Sequence, residues 1–248
     1  MKKVLLCMLL SAILLSCSKD DPVLTLNALT ATMFAHEEYQ ITTTNGTNVT
    51  FESKNPYVAK VDNMGKVRSL TIGTAIIDVN SDQGKAQVLI TVNPKYNTYT
   101  EPFRDFTKTK SQITSVYGTP DVETTNGIGY YYDNNNVHIA DMYLFTNGIL
   151  SSSTALINQD YAVDAMQFIG ERYLPLDSSD GIYMFVNGTS KDNISIIVAL
   201  TKMSGYKLYE VIYMPYKGDT RSILELHNKD IKHRISKELE LCLEEYKE

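Results

Sequence analysis

The sequence predicts a mainly β plus α+β protein: a β-sandwich, then a helix-plus-antiparallel-sheet domain, then a C-terminal helix. Three observations predict it. From residue 22 to 94, short apolar runs with period-two alternation recur about every ten residues, between turn residues. From 95 to 217, two helix-capping signals are each followed by further strand-like runs, and 15 of the 17 tyrosines lie from Tyr96 onward. From 218 to 248, apolar residues recur at helical spacing among mixed charges.

The chain opens with Lys2 and Lys3 and an apolar run over 4–15 broken only by Ser11. That run is shorter than the ~20 residues a membrane-spanning helix needs, so it reads as a secretory signal core. Leu14-Leu15-Ser16-Cys17 then resembles the lipobox of bacterial lipoproteins. The resemblance implies a signal peptide over 1–16, cleavage before Cys17, and acylation of Cys17 with palmitate-type chains. Each buried methylene adds ~0.8 kcal/mol of membrane affinity, so several chains hold a protein where one does not. Ser18-Lys19-Asp20-Asp21 completes a tether over 17–21 and resembles the acidic surface-export signal of Bacteroidetes lipoproteins. This implies the extracellular face of the outer membrane, with the lipid anchor as the membrane contact. An ordinary signal peptide followed by a merely solvated tether fits the same residues.

Loss of residues 1–16 removes Lys2 and Lys3, so 23 basic residues fall to 21 against 29 acidic, a formal charge of −8. Such a surface favours neither nucleic acid nor an anionic bilayer. With Cys7 discarded and Cys17 lipidated, Cys242 stands alone, and no disulfide framework is expected.

In the first unit Tyr39, Ile41 and Thr43 alternate, as do Val49 and Phe51. Ala75, Ile77 and Val79 follow Gly73, and Val88, Ile90 and Val92 close the segment. Each set places its apolar side chains on one face, so two sheets can bury them against each other. Asn45-Gly46, Asn63-Met64-Gly65 and Asp82-Gln83-Gly84 mark the turns. Asn55, Pro56, Val58, Ala59, Val61 and Asp62, with Gly65-Lys66-Val67 and Gly73-Thr74-Ala75, resemble the bacterial Ig-like domains of group 2. The resemblance implies an Ig-like sandwich over 22–94, from a family found in surface and adhesion proteins and also as inert spacers. Phe51 stands where that family usually has a core tryptophan, filling the position without an indole N–H.

In the second unit Thr107 or Thr109 caps a helix with Ile113, Val116 and Tyr117 on one face, stopped by Gly118 and Pro120. Asn158 or Asp160 caps another, with Tyr161, Ala165, Met166 and Ile169 on one face and Pro175 beyond its end. Strands are expected at 128–132 and 142–145, then at 182–186, 194–200 and 206–216. Gly118 and Gly170 are 52 residues apart and Gly127 and Gly181 are 54 apart, the offset of a helix-and-sheet unit present twice. The order of elements resembles the tandem modules of beta-lactamase inhibitor protein and of small outer-membrane lipoproteins, which bind other proteins, an analogy at the level of fold.

The candidate ligand-binding residues are tyrosines. On strands, Tyr130 shares a face with Tyr132, and Tyr209 shares one with Tyr213. Such a face stacks on sugar rings or packs against a protein partner, although tyrosine also suits a half-buried strand face with no ligand. Catalytic and metal-binding patterns are missing from the sequence. His36, His138, His227 and His233 are dispersed, and the last two lie six apart where a helical metal pair wants four. There is no H-E-x-x-H, C-x-x-C, phosphate-cradling glycine loop or G-x-S-x-G. Asp133-Asn134-Asn135-Asn136 opens like a calcium loop but has His138 and Leu144 where glycine and glutamate are needed, so a hairpin turn is expected. In the tail, Ile231, Ile235, Leu239, Leu243 and Tyr246 form a stripe that docks on the second unit or on a partner.

These readings predict no cofactor, no metal and no enzyme. They predict an outer-membrane-anchored, surface-exposed lipoprotein that binds a polysaccharide or host protein. A periplasm-facing envelope-protein-binding or inhibitor-like module is the alternative.

Overall fold

The computed structural model describes residues 23–179, 181–218, 243, 246 and 247. The expected signal peptide over 1–16, Cys17, Ser18, Lys19, Asp20 and Asp21 lie outside the described residues, as does most of the C-terminal stripe.

Nine strands make the first unit: β1 (Thr25–Leu26), β2 (Thr30–Phe34), β3 (Glu38–Gln40), β4 (Thr43–Thr44), β5 (Thr50–Ser53), β6 (Ala59–Val61), β7 (Lys66–Ser69), β8 (Gly73–Ser81) and β9 (Gly84–Asn93). A four-stranded sheet β2-β9-β8-β5, with β2 parallel to β9, faces a three-stranded sheet β3-β7-β6, while β1 pairs with β4. The alternation puts Ala75, Ile77 and Val79 of β8 and Val88, Ile90 and Val92 of β9 in one core with Ile41, Ala59 and Val67. Leu89 and Ile76, one residue out of phase, stay exposed. Phe51 packs against this core from its edge, and its ring sets the size limit at Gly65. There φ is +79°, and a Cβ would lie 2.8 Å from both Ile41 O and the Phe51 ring.

The second unit comprises α1 (Lys110–Tyr117), β10 (Val122–Glu123), β11 (Gly127–Tyr131), β12 (His138–Thr146), β13 (Ile149–Asn158), α2 (Ala162–Gly170), β14 (Leu174–Ser179), β15 (Ile182–Val186), β16 (Ile196–Lys202) and β17 (Leu208–Pro215). A helix followed by four strands thus occurs twice. The strands join into one antiparallel sheet ordered β10-β11-β12-β13-β17-β16-β15-β14, with the two quartets meeting at β13 and β17. Thr109 caps α1 in a capping box with Gln112, and Gly118 ends it at φ 88°. Asn158 caps a 3-10 turn that leads into α2.

Both helices lie on one face of the sheet. Ile113 of α1 is buried among Ile128, Tyr130, Tyr143 and Phe145, and Ala165, Phe168 and Ile169 of α2 among Ala155, Ile157, Val198, Val211 and Tyr213. The expected apolar face of α1 is narrower than its sequence: Val116 is 64% exposed, and Tyr117 reaches the cluster only through its ring. Among the described residues no helix is long and apolar enough to cross a membrane.

Candidate functional site

Three polar clusters anchor the second unit, and all sit on the helix-covered side or at the junction with the first. The first depends on a β-bulge. Strand alternation would send residues three apart to opposite faces, but a register shift between His138 and Ala140 turns His138 toward Asp141. His138 Nε2 donates to Asp141 Oδ1 at 2.9 Å, and both side chains are buried. Asp141 Oδ2 accepts from Tyr132 Oη at 2.7 Å and Tyr143 Oη at 3.2 Å. Burial, then the nearby Asp141 charge, raises both phenols well above the ordinary tyrosine value, so both stay protonated donors.

The second cluster joins the 97–106 loop to the sheet. Tyr99 Oη and Tyr213 Oη are 2.6 Å apart, and burial pushes both phenols far up. Glu101 Oε1 accepts from Tyr173 Oη at 2.7 Å and Arg104 Nη1 at 2.8 Å, and Arg104 Nη1 also donates to Tyr173 Oη. The Arg104 guanidinium lies 5.8 Å from the Tyr213 ring centre.

The third cluster is the junction of the two units. Glu171 follows α2 and is 2% exposed. Its Oε2 accepts from Lys95 N at 2.9 Å, and its Oε1 from Tyr96 N at 3.1 Å and Arg172 Nη1 at 2.6 Å. Ile72 N, in the loop before β8, donates to Glu171 O at 2.7 Å, and Tyr57 Oη donates to Arg172 O. Arg172 also stacks on Phe168 at 3.5 Å. A buried carboxylate with this many donors holds the segment leaving β9 against the end of α2, so the sandwich has a fixed seat on the sheet.

The predicted tyrosine face needs correction. Tyr130 is 8% exposed and donates from its Oη to Gly118 O at 3.0 Å; Tyr213 is fully buried against Tyr99. Tyr132 is engaged with Asp141, and Tyr209 is half-buried against the α2 cluster. The face these rings occupy is the one the helices cover, so they pack the core and form no open platform. The 133–136 segment is the expected turn: Asn134 takes φ 62°, and Asn135 Oδ1 accepts from Val137 N and His138 N. Among the described residues no group of three or more His, Cys, Asp or Glu side chains is placed to hold a metal.

The carboxylates of these clusters all accept internal hydrogen bonds, so the chemistry available is rigid positioning. The open surface offers instead a shallow depression of about 740 Å³ beside α1, lined by Thr109, Lys110, Ser111, Thr114, Thr119 and Glu123. Lys110 Nζ and Glu123 Oε1 pair across it at 3.1 Å. The sequence marked Thr109 only as a helix cap; the lining comes from two elements that the packing brings together.

Residues 30–92 match the family model described as Bacterial Ig-like domain (group 2), and the chain carries such a domain at its N-terminal side. Comparison with curated proteins finds none that matches. Among solved structures, domains 5-6 of the S-layer protein SbsC are 11% identical, with 80% of this chain aligned to 86% of that one at a TM-score of 0.24. Domains 4-9 of the same protein align with 80% of this chain but over only 27% of their own length, at 11% identity and TM-score 0.25. The Bacteroides ovatus mixed-linkage glucan utilization locus protein SGBP-B, in complex with a mixed-linkage heptasaccharide, is 13% identical over 78% of this chain and 47% of its own, at TM-score 0.26. At such scores none of these superpositions extends to a shared overall fold, and none bears on what this chain binds.

Proposed function

We propose that this protein is a lipid-anchored binding module of the bacterial outer membrane, in which the Ig-like sandwich serves as a stalk and the eight-stranded unit as the ligand-binding head. The observation that carries the reading is the Glu171 junction. A buried carboxylate clamping two linker amides, with Ile72 and Tyr57 docked beside it, suits a head presented in fixed orientation rather than on a loose tether. The lipobox resemblance at Cys17 and the acidic Ser18-Lys19-Asp20-Asp21, ahead of the sandwich in sequence, support a lipid anchor and display on the outer face.

The head binds without catalysis. Its ligand is a polysaccharide or a host protein. The depression beside α1 suits a sugar, since its hydroxyls and its Lys110–Glu123 pair present donors and acceptors to a polyol. The test is a glycan array and an envelope pull-down with the soluble 22–248 protein. Glycan binding that falls at least tenfold in Lys110→Ala or Thr114→Ala supports the head as a glycan receptor. Capture of an envelope protein with no glycan bound would favour the periplasm-facing alternative, and turnover of a bound ligand would overturn the non-catalytic reading.

A further inference from the structure

The tyrosines singled out by strand alternation are packed away, but Tyr183 is not. It lies on the helix-covered face of β15, in step with Phe185 and opposite Leu200 of β16, both of which belong to the α2 cluster. Yet Tyr183 is 44% exposed, and among the described residues it makes no hydrogen bond and no ring contact.

The ring borders a shallow groove of about 410 Å³ between α2 and the outer strand β14. Met166, Pro175, Leu176 and Phe185 supply its apolar lining, and Asp177 and Ser178 its polar one. A β-bulge puts Leu176 there. The register shift between Pro175 and Asp177 leaves Leu176 without a partner on β15 and 43% exposed. Beyond the bulge Ser178 stands opposite Tyr183, and Ser178 N donates to Asp177 Oδ1 at 2.7 Å, which orients an exposed carboxylate next to that pair.

We propose that this groove is a binding subsite for a neutral pyranose, with the Tyr183 ring stacked on the sugar's C–H face and Asp177 and Ser178 taking its hydroxyls. The inference rests on the polysaccharide reading of the head and gives the head a second site. A pyranose has an apolar C–H face rimmed by hydroxyls, and the groove presents the complement: an unpartnered ring among apolar side chains, with acceptors to one side. Other ligands fit less well. A peptide adding a strand to β14 would meet Pro175, which has no N–H, and a ladder interrupted at Leu176. An acidic ligand would meet a carboxylate and no cation, on a chain of net charge −6.

The groove has in the second half of the unit the place that the depression beside α1 has in the first, between the helix and the first strand of its own half. β10 and β14 are the two outer strands of the sheet, seven strand spacings or ~34 Å apart. The two sites can therefore be altered separately.

The test is affinity electrophoresis of the soluble 22–248 protein through gels that each hold one neutral polysaccharide, starch, xylan, galactomannan or a β-glucan, with polygalacturonate as the acidic control. At least one neutral gel is expected to retard the protein. Tyr183→Ala is expected to weaken that retardation about tenfold or more, while Tyr183→Phe, which keeps the ring, stays within about threefold. Retardation lost in Lys110→Ala but unmoved by Tyr183→Ala would overturn this subsite and leave the glycan-receptor reading standing. Failure of every neutral gel to retard the unaltered protein would overturn the subsite and the polysaccharide reading together. Equal loss in Tyr183→Phe and Tyr183→Ala, or retardation by polygalacturonate alone, would overturn the stacked neutral sugar.

Discussion

Replacing Glu171 by Gln probes the junction with the smallest change in shape. The carboxylate accepts from Lys95 N, Tyr96 N and Arg172 Nη1 in a site that is almost fully buried. Gln keeps one acceptor oxygen and turns the other position into an NH2 that faces a backbone N–H. One charge-assisted bond, worth ~1.5–3 kcal/mol, is lost, and a buried amide is left without an acceptor at a further ~1–3 kcal/mol. Arg172 keeps Phe168 O, Tyr96 O and the Phe168 ring, so its guanidinium is not stranded. The two together give an expected destabilisation of ~2.5–6 kcal/mol in the transition of the eight-stranded unit. Urea unfolding of the soluble 22–248 protein reads the stability, and amide hydrogen exchange reads its location. Exchange is expected to quicken at Lys95 and Tyr96 while the β8 and β9 amides keep their protection. A change within ~0.5 kcal/mol, the range of ordinary surface substitutions, with unaltered exchange at Lys95 and Tyr96 would refute the clamp.

Other consequences follow from the buried phenols and the packing. Tyr99→Phe or Tyr213→Phe leaves the partner hydroxyl buried without its mate and is expected to cost ~1–3 kcal/mol, while the double substitution costs less than the sum, measured by a thermal-unfolding cycle. Because burial raises Tyr99 and Tyr213 above the unfolded value of ~10, the unfolded chain releases those protons first as pH rises. Their contribution is therefore whole below pH ~10 and is lost as pH climbs through and beyond it, which a pH series of melting temperatures with phenolate absorbance checks. Gly65→Ala forces a Cβ against Ile41 O and the Phe51 ring at positive φ, and is expected to lower the stability of the sandwich by more than ~1 kcal/mol, read by the same urea assay. Cys17→Ala is expected to move the protein from the membrane fraction to the soluble one, read by fractionation and immunoblot.

Elements with an alternating or unbroken apolar pattern were readable from the sequence, among them β15, β16 and β17 although both their faces are buried, whereas β13 and the junction were not. β8 and β9 alternate cleanly because one side meets the sandwich core and the other meets water. β13, the centre of the eight-stranded sheet, gave no such signal. It is buried on both faces, and Ser152, Ser153 and Thr154 in its middle interrupt any apolar run, though all three are buried in the fold. The tyrosine alternation placed the faces correctly, with Tyr130 and Tyr131 in clusters on opposite sides, but alternation does not reveal which face a helix will cover. His138 and Asp141 meet only because of a bulge, which a period of two cannot foresee. Glu171 looked like any charge at a helix end until the segment after β9 came to rest on it.

The most direct test of the account is proteinase treatment of intact cells carrying the full chain, followed by detection of both units. The account predicts that the Ig-like and eight-stranded units are digested or shed together while a periplasmic control survives. Full protection of both units until the outer membrane is breached would contradict the surface-presented head and stalk.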